Sequence, residues 1–128
     1  MGYSPTLRNA KLDANSTIIG SAGLLKIFAG TKPATGGADG TLLATFTLGS
    51  PFAPASAAGV QSPTLPSATT GSATGTAGWA RVTKSDGTTY CMDLTVSTTG
   101  AQINLSTISI TSGGAVSISS WSITDGNP

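Results

Sequence analysis

Residues 103–124, INLSTISITSGGAVSISSWSIT, predict β-structure, because apolar and polar residues alternate along them as they do in half-buried β-strands. The alternation changes phase twice, at Ser106-Thr107 and at Ser119-Ser120. If the stretch forms one hairpin across the turn TSGGA, the two phase changes lie opposite each other. The whole ribbon then changes its buried face halfway along, which an isolated bulge in one strand would not do. The expected pairs are Ile110 with Val116, Ile108 with Ile118, Leu105 with Trp121 and Ile103 with Ile123.

A ribbon of this kind needs an apolar surface against each of its faces. It either bends from one sheet into another, or one half covers the core while the other half meets a second subunit. Burial of a large aliphatic side chain contributes about 1.5 to 3 kcal/mol, so leaving one half in water would forfeit several kcal/mol. That loss is comparable with the whole stability of a small domain. We therefore expect both halves to be covered, within the protomer or across a subunit junction.

The composition predicts a single domain over residues 1–128. A chain of 128 residues can bury about two-thirds of the surface that its unfolded form exposes. Its hydrophobic share of 38% is too high for a disordered tail, whereas only 9% of the residues are charged. The formal net charge is +1 and the basic residues never form a run. The charge pattern therefore gives no support for binding to nucleic acid or to an anionic membrane.

The cysteine content and the N-terminal sequence bear on where the protein is made. Cys91 is the single cysteine, so no intrachain disulfide is expected. Residues 1–17 contain no apolar stretch of the length of a signal peptide, and no window reaches the ~20 apolar residues of a membrane span. We expect synthesis in the cytoplasm without export, and a fold held by its core or by neighbouring subunits.

An N-terminal arm and helix are predicted within residues 1–22. Ser4-Pro5 is typical of an N-cap followed by proline at the first helical position, and Gly20 ends the pattern, which predicts a helix over 5–18. Its apolar stripe is narrow, so the helix would not be stable alone and the stripe should pack on another surface. The preferred expectation is that it packs on the sandwich of its own chain. The stripe consists of Leu7, Ala10, Ala14, Thr17 and Ile18.

Beyond Gly23 the hydrophobic period is that of strands. Strands are predicted at 24–28 and at 41–49, where Leu42, Ala44, Phe46 and Leu48 share one face. Residues 50–74 contain four prolines, so they should form a long loop with only short edge strands near Phe52 and Val60. Both flanks of this loop are rich in strands, which makes it part of the same domain and a candidate for reaching a partner.

Residues 75–100 predict a hairpin around Asp86-Gly87. A two-residue turn would pair Val82 with Cys91, whereas a three-residue loop with a left-handed Gly87 pairs Val82 with Tyr90. The second register keeps apolar residues opposite apolar residues and is preferred. It also pairs Ala80 with Met92 and Gly78 with Leu94.

The polar face of this hairpin carries Trp79, Arg81 and Asp93. An aromatic side chain beside an arginine and an aspartate has the composition of a contact anchor. The alternative is that Trp79 is covered by the proline-rich loop or by the helix of its own chain, because a tryptophan seldom stays bare.

The sequence offers few groups for catalysis. It has no histidine and no glutamate, which removes the commonest general base and the commonest metal ligand. Three aspartates lie in pairs typical of turns, Asp39-Gly40, Asp86-Gly87 and Asp125-Gly126, with no spaced acidic loop for calcium. Cys91 has no histidine to activate it and is expected to be an inert thiol. The interpretation is a protein that is not an enzyme and has no metal or other cofactor.

Five segments together carry a family resemblance. They are LRNAKLDA at 7–14, GLLKIFAGTKPA at 23–34, TLLATFTL at 41–48, GTAGWARV with SDGT within 75–88, and the ribbon at 103–124. As a set they resemble small virion proteins that tailed phages and prophages encode among their head genes. The resemblance covers most of the chain and is weakest across 50–74, and its motifs define strands and turns rather than an active site.

The resemblance implies an all-β fold, a β-sandwich or jelly roll with one short N-terminal helix, and a role as a capsid decoration (cement) protein. Its partners would be the major capsid protein and copies of itself in a dimer or trimer, with no nucleic acid and no membrane. Its place would be the outer capsid surface of the virion, after synthesis in the host cytoplasm. The residues expected to contact the capsid or sister subunits are Leu7, Arg8, Lys11, Phe52, Val60, Trp79, Arg81 and Asp93.

Two alternatives belong to other classes. A tail-associated adhesive or carbohydrate-binding module would use Trp79 or Trp121 as a platform on which a sugar stacks. Such sites usually add several acidic or amide groups, of which the chain has few. A tail-tube or neck component would share the β-rich composition.

Overall fold

The computed structural model describes residues 3–20, 22–33, 37, 40–49 and 52–124. One helix, α1 (Pro5–Ile19), precedes the strands of the described chain. The strands are β1 (Leu24–Ala29), β2 (Leu42–Thr47), β3 (Val60–Gln61), β4 (Thr69–Thr70), β5 (Gly75–Thr83), β6 (Tyr90–Ser97), β7 (Ile103–Leu105), β8 (Ser109–Ile110), β9 (Ala115–Val116), β10 (Ile118–Trp121) and β11 (Ile123–Thr124). The turns predicted at Asp39-Gly40 and Asp125-Gly126 involve aspartates outside the described residues.

The helix begins and ends as its sequence predicts. The Ser4 hydroxyl accepts a hydrogen bond from the backbone N–H of Leu7 at 3.2 Å, and Pro5 occupies the first helical position. At the other end Gly20 has a φ of 71°, and its N–H donates to the carbonyl of Ser16 at 3.1 Å. The predicted helix is therefore confirmed, with one more residue at its C-terminus.

The large sheet has the strand order β10-β7-β6-β5-β1-β2, and β8 also pairs with β5. Strands β6 and β7 run parallel and the other neighbours run antiparallel, so the sheet is mixed. Two short sheets, β11-β3 and β4-β9, complete the fold. The prediction of an all-β, sandwich-like fold with one short N-terminal helix is confirmed, and the strands predicted at 24–28 and 41–49 are present as β1 and β2.

Strand β5 lies at the centre of the large sheet and is buried on both faces. Its even-numbered side chains Ala80 and Val82 enter the main core, whereas Trp79 and Arg81 lie on the opposite face and are also buried. A Cβ at Gly78 would overlap the carbonyl oxygen of Gly30, so this position of β5 accommodates only glycine. The close approach lies where the pairing of β1 and β5 shifts register.

Phe52 belongs to the core and not to an edge strand. Its side chain is 1% exposed, and its ring meets the Trp121 indole edge-on with centroids 5.1 Å apart. The expectation of a short strand near Phe52 is wrong, while the strand expected near Val60 is present as β3. Because Phe52 packs into the core, the described part of this segment, residues 52–74, is held more tightly than its proline content indicates.

The single hairpin predicted over 103–124 is wrong. Strand β7 does pair with β10, but Leu105 lies opposite Ile118 and Ile103 lies opposite Trp121. Strand β8 pairs with β5 instead of the opposing arm, and β9 pairs with β4. The competing partners are β4, which lies within the predicted 50–74 loop, and Gly75 and Thr76 at the start of the predicted 75–100 hairpin.

The two phase changes in this stretch have separate causes. The register of β7 and β10 shifts between Ile118 and Ser120, and the Ser119 hydroxyl donates to the carbonyl of Asn104 at 2.9 Å, so the second change is a bulge. The first change marks the end of β7, after which the chain leaves for β5. Both halves are covered within the protomer, as the ribbon argument requires, without a second subunit. The buried side chains are Ile103, Leu105, Ile110, Val116, Ile118 and Trp121.

The hairpin of β5 and β6 keeps the predicted faces over most of its length but not the predicted register. Val82 lies opposite Met92 and Ala80 opposite Leu94, two residues away from the expected pairs, and a shift by two keeps these side chains on their own faces. The register shifts again between Val82 and Thr83, so Tyr90, expected on the face of Val82, lies opposite Thr83 and over Arg81. The loop is longer than expected, because the N–H of Lys84 donates to the carbonyl of Thr89 at 3.0 Å and closes it there.

Asp86 organises this loop. Its carboxylate accepts hydrogen bonds from the backbone N–H groups of Thr88 and Thr89, at 2.9 and 2.8 Å, and from the Thr89 hydroxyl. These donors, the Thr89 hydroxyl first, lower the pKa of Asp86 from 3.8 to about 2. Gly87 follows with a φ of 75°, as predicted for a left-handed turn position.

The depressed pKa of Asp86 predicts a pH-dependent contribution to stability. The carboxylate stabilises the fold fully above its unfolded pKa of about 3.9, and this contribution is lost as pH falls through its folded pKa of about 2. We expect the urea midpoint of Asp86→Ala to lie below that of the parent at pH 6 and to approach it as pH falls from about 4 to about 2. Ser85→Ala, at an exposed neighbouring position, is the control. A difference between Asp86→Ala and the parent that is constant with pH would contradict the prediction.

Candidate interaction surface

Helix α1 is fixed to the 56–61 segment by polar side chains. The backbone N–H of Gly59 donates to Asn9 Oδ1 at 2.9 Å, and the N–H of Ser56 donates to Asp13 Oδ1 at 2.8 Å. Each bond satisfies a backbone group of a segment that has little strand pairing of its own. The inward face of the helix is therefore largely its polar face.

Gln61 extends this attachment into the interior. It is fully buried on β3, its Oε1 accepts from Asn15 Nδ2 at 3.0 Å, and its Nε2 donates to Ser16 Oγ at 3.5 Å. Buried amides of this kind keep their partners, because an unsatisfied one costs about 1 to 3 kcal/mol. Leu12 and Ile19 are the apolar side chains of the helix that are buried beside this polar contact.

The predicted apolar stripe of the helix faces outward. Leu7 is 46% exposed and Ile18 is 54% exposed, and Ala10, Ala14 and Thr17 between them are exposed too. The expectation that this stripe packs on the chain's own sandwich is wrong, because polar partners in 56–61 compete for the other side of the helix. Leu7 and Ile18 are eleven positions apart, so the exposed stripe is about 16 Å long. We call these five residues the outer helix face.

Lys11 and Arg8 take different sides of the helix. Lys11 is exposed, and its Nζ lies 4.2 Å from the centroid of the Tyr3 ring, a cation–π contact near the outer helix face. Arg8 is partly buried, and its guanidinium occupies the space that a Cβ on Gly59 would enter. Of the three predicted helix contacts, Leu7 and Lys11 are therefore exposed, and Arg8 lies against the chain's own 56–61 segment.

The two contacts predicted in the proline-rich loop are used inside the protomer. Phe52 is in the core, and Val60 is partly buried in β3, which lies beside α1 and pairs with β11. Neither side chain lies at the tip of a protruding loop. The exposed large apolar residue of this segment is Leu65, at 44%.

Trp79, Arg81 and Asp93 do lie together, as predicted, but as a buried cluster. Trp79 is 1% exposed and stacks on Phe28 with ring centroids 4.5 Å apart. The alternative in which Trp79 is covered by its own chain is the one that the structure shows, with Phe28 of β1 as the cover in place of the helix or the proline-rich loop. The assignment of this cluster to a direct contact surface therefore does not match its burial.

Arg81 and Asp93 form a paired charge across β5 and β6. Arg81 Nε donates to Asp93 Oδ1 at 2.7 Å and Nη2 donates to Oδ2 at 3.2 Å, a bidentate geometry. Nη2 also donates to the carbonyl of Gly37 at 2.7 Å. The guanidinium carbon lies 5.1 Å from the ring centroids of both Trp79 and Tyr90. The side chain of Asp93 is 1% exposed, so hydrogen bonds from Arg81 take the place of bonds that water would make to an exposed carboxylate.

The remaining chemistry of the described chain is sparse. Burial raises the pKa of the Cys91 thiol above its ordinary value, which disfavours the reactive thiolate. Within the described ranges no group of three or more His, Cys, Asp or Glu side chains is placed to hold a metal ion. The helix found in the same residues is too short and too polar to cross a membrane.

Both tryptophans are inside the protomer. Trp121 is 4% exposed, so neither indole presents a face on which a sugar could stack.

Comparison of the chain with protein-family models, with curated proteins and with solved structures finds no match. Among the described residues, the outer helix face is the candidate interaction surface.

The buried ion pair gives a stability prediction. Asp93→Ala leaves the Arg81 guanidinium buried without its carboxylate, and we expect a loss of about 3 to 5 kcal/mol in the free energy of unfolding, measured by urea denaturation. The double variant Arg81→Met with Asp93→Leu removes both charges and should recover most of that loss. A single variant as stable as the parent, or a double variant as unstable as the single, would show that the pair is not held as described.

Proposed function

We propose that the protein is a phage virion component, a capsid decoration protein that binds the outer surface of the mature major-capsid lattice and stabilises it. The resemblance to head-gene products motivates the proposal. The observation that carries it is the outer helix face, since the chain fixes α1 through polar groups and leaves its apolar stripe in water. An apolar face kept outward in this way fits a surface that a partner covers.

The size of this face bears on how it would act. A stripe about 16 Å long and one helix wide covers far less than the ~800 Å² per partner that a stable one-to-one complex buries. A single copy would therefore bind weakly. A small homo-oligomer, a dimer or trimer, on a symmetric shell repeats the contact and converts weak sites into tight attachment.

The proposed stabilisation follows from mass action. A protein that binds the expanded shell, and not its precursor, stabilises the expanded state by RT ln(1 + [L]/Kd) at each site, where [L] is the concentration of free protein. Such binding needs no catalysis and no cofactor. It does need a surface with little charge repulsion, and a net charge of +1 over 128 residues provides one.

The rival functions receive less support. The carbohydrate-binding alternative loses the stacking platform on which it depends, because Trp79 and Trp121 are both buried. The tail-tube or neck alternative has no feature of the described residues that favours it over decoration.

The test is reconstitution on mature capsids stripped of this protein. Parent protein should add density to the outer surface and raise the temperature at which the capsids open. Ile18→Asp and Leu7→Asp place a charge in the outer helix face and should lower occupancy at least tenfold, because an ionised carboxylate is costly to bury. Leu65→Asp makes the same change at a similarly exposed leucine outside the helix and should bind as the parent does.

Failure has two distinct forms. If parent protein adds neither density nor heat resistance, the decoration function is wrong. If parent protein binds, but Leu7→Asp and Leu65→Asp occupy the capsid to the same extent as each other, the outer helix face is not the contact. Circular dichroism spectra of all variants should remain those of the parent, because each substituted side chain is already exposed.

A further inference from the structure

A cavity of about 240 Å³ lies between β1, β5 and the loop that joins β5 to β6. It is separate from the outer helix face, and the proposed function makes no use of it. Its walls are made by Lys26, Arg81, Thr83, Gly87 and Thr88, which combine two cationic side chains with two hydroxyls. The strands β1 and β5 hold these groups in place, together with the loop that Asp86 organises.

The charges around the cavity form one row across three strands. Lys26 of β1 lies directly opposite Arg81 of β5, and Arg81 lies directly opposite Asp93 of β6. Like charges at directly opposite positions repel and destabilise a sheet. Asp93 offsets one of the two positive charges through its bidentate bond with Arg81. Among the described residues, no carboxylate pairs with Lys26.

Lys26 has hydrogen-bonding capacity that the described chain does not use. Its Nζ donates to the backbone carbonyl of Gly87 at 2.6 Å, a neutral acceptor. An ammonium group has three donors, so two of them have no acceptor among the described residues. The bond to Gly87 holds the ammonium at the cavity wall, which reduces the entropy that a ligand would otherwise have to remove.

We propose that this cavity binds a carboxylate. The single positive charge of the Lys26 ammonium, which has no carboxylate partner among the described residues, matches a monoanion better than a dianionic phosphate. Lys26 Nζ supplies the ionic contact and the Thr88 hydroxyl, at the exposed rim, supplies a second donor. The volume exceeds that of a carboxylate group, so the ligand carries a short stem, as a small organic acid or an aspartate or glutamate side chain of another protein does.

The test is a titration of the full chain followed by backbone amide NMR shifts at constant ionic strength. Sodium acetate should shift the amides of Gly87 and Thr88 along a saturable curve, and sodium chloride should not. Lys26→Met should weaken acetate binding at least tenfold. Lys84→Met removes an exposed lysine of the same loop that does not line the cavity, and should bind as the parent does.

A second variant guards against an indirect effect of Lys26→Met on the loop. Thr88→Val keeps the backbone bond to Asp86 and removes only the rim hydroxyl, so it should weaken acetate several-fold while the spectrum stays dispersed. A blocked peptide containing one glutamate separates the two sources of the carboxylate. Tighter binding of the peptide assigns the site to a protein side chain, and binding of acetate alone assigns it to a free acid.

Three results would overturn the proposal. Linear, unsaturable shifts with acetate would mean that there is no site. Equal shifts in Lys26→Met and the parent would remove the ammonium from the site. Tighter binding of inorganic phosphate than of acetate at pH 8 would show that the cavity selects a dianion, contrary to the single charge of Lys26.

Discussion

The structure depends on the burial of strand β5 on both of its faces. One face enters the main core, and the other carries Trp79 and Arg81 beneath Phe28 and Tyr90. A charged residue can occupy such a strand only if its charge is met, and Asp93 on the adjacent strand meets it with two hydrogen bonds. The pairing of β5 with β6, the position of β1 and the cover over Trp79 all follow from this arrangement.

Local signals in the sequence predicted the parts of the fold that local contacts form. The cap at Ser4, the left-handed turn at Gly87 and the alternating strands β1 and β2 are each specified by a few neighbouring residues. Most of the faces of the β5–β6 hairpin were also predictable, because a two-residue error in register preserves sidedness, but the shift beyond Val82 that places Tyr90 over Arg81 was not. The loop length was not, since it depends on the carboxylate of Asp86, which accepts hydrogen bonds from the backbone N–H groups of Thr88 and Thr89.

The pairings that could not be predicted are those between segments distant in sequence. Alternation in 103–124 shows which residues are buried, but it does not show that β8 pairs with β5 or that β9 pairs with β4. The same limit applies to the candidate contact residues, whose grouping was predictable from the sequence and whose burial was not. Composition correctly grouped Trp79, Arg81 and Asp93, yet their burial depends on Phe28, about fifty positions earlier in the chain. The helix periodicity identified an apolar stripe, but it did not show that polar contacts, among them the hydrogen bonds of Asn9 and Asp13, hold the other side of the helix inward.

The attachment of α1 also sets how readily that helix leaves the rest of the protein. Its contact with residues 56–61 consists largely of hydrogen bonds, each worth about 1 kcal/mol net because water can replace the partner. Lifting the helix away would newly wet few apolar side chains, chiefly Leu12 and Ile19. Local opening of this element therefore costs far less than global unfolding, and its amides are expected to exchange with solvent before those of β5. We therefore expect a slowly exchanging sheet and a helix that opens as a unit before the sheet does.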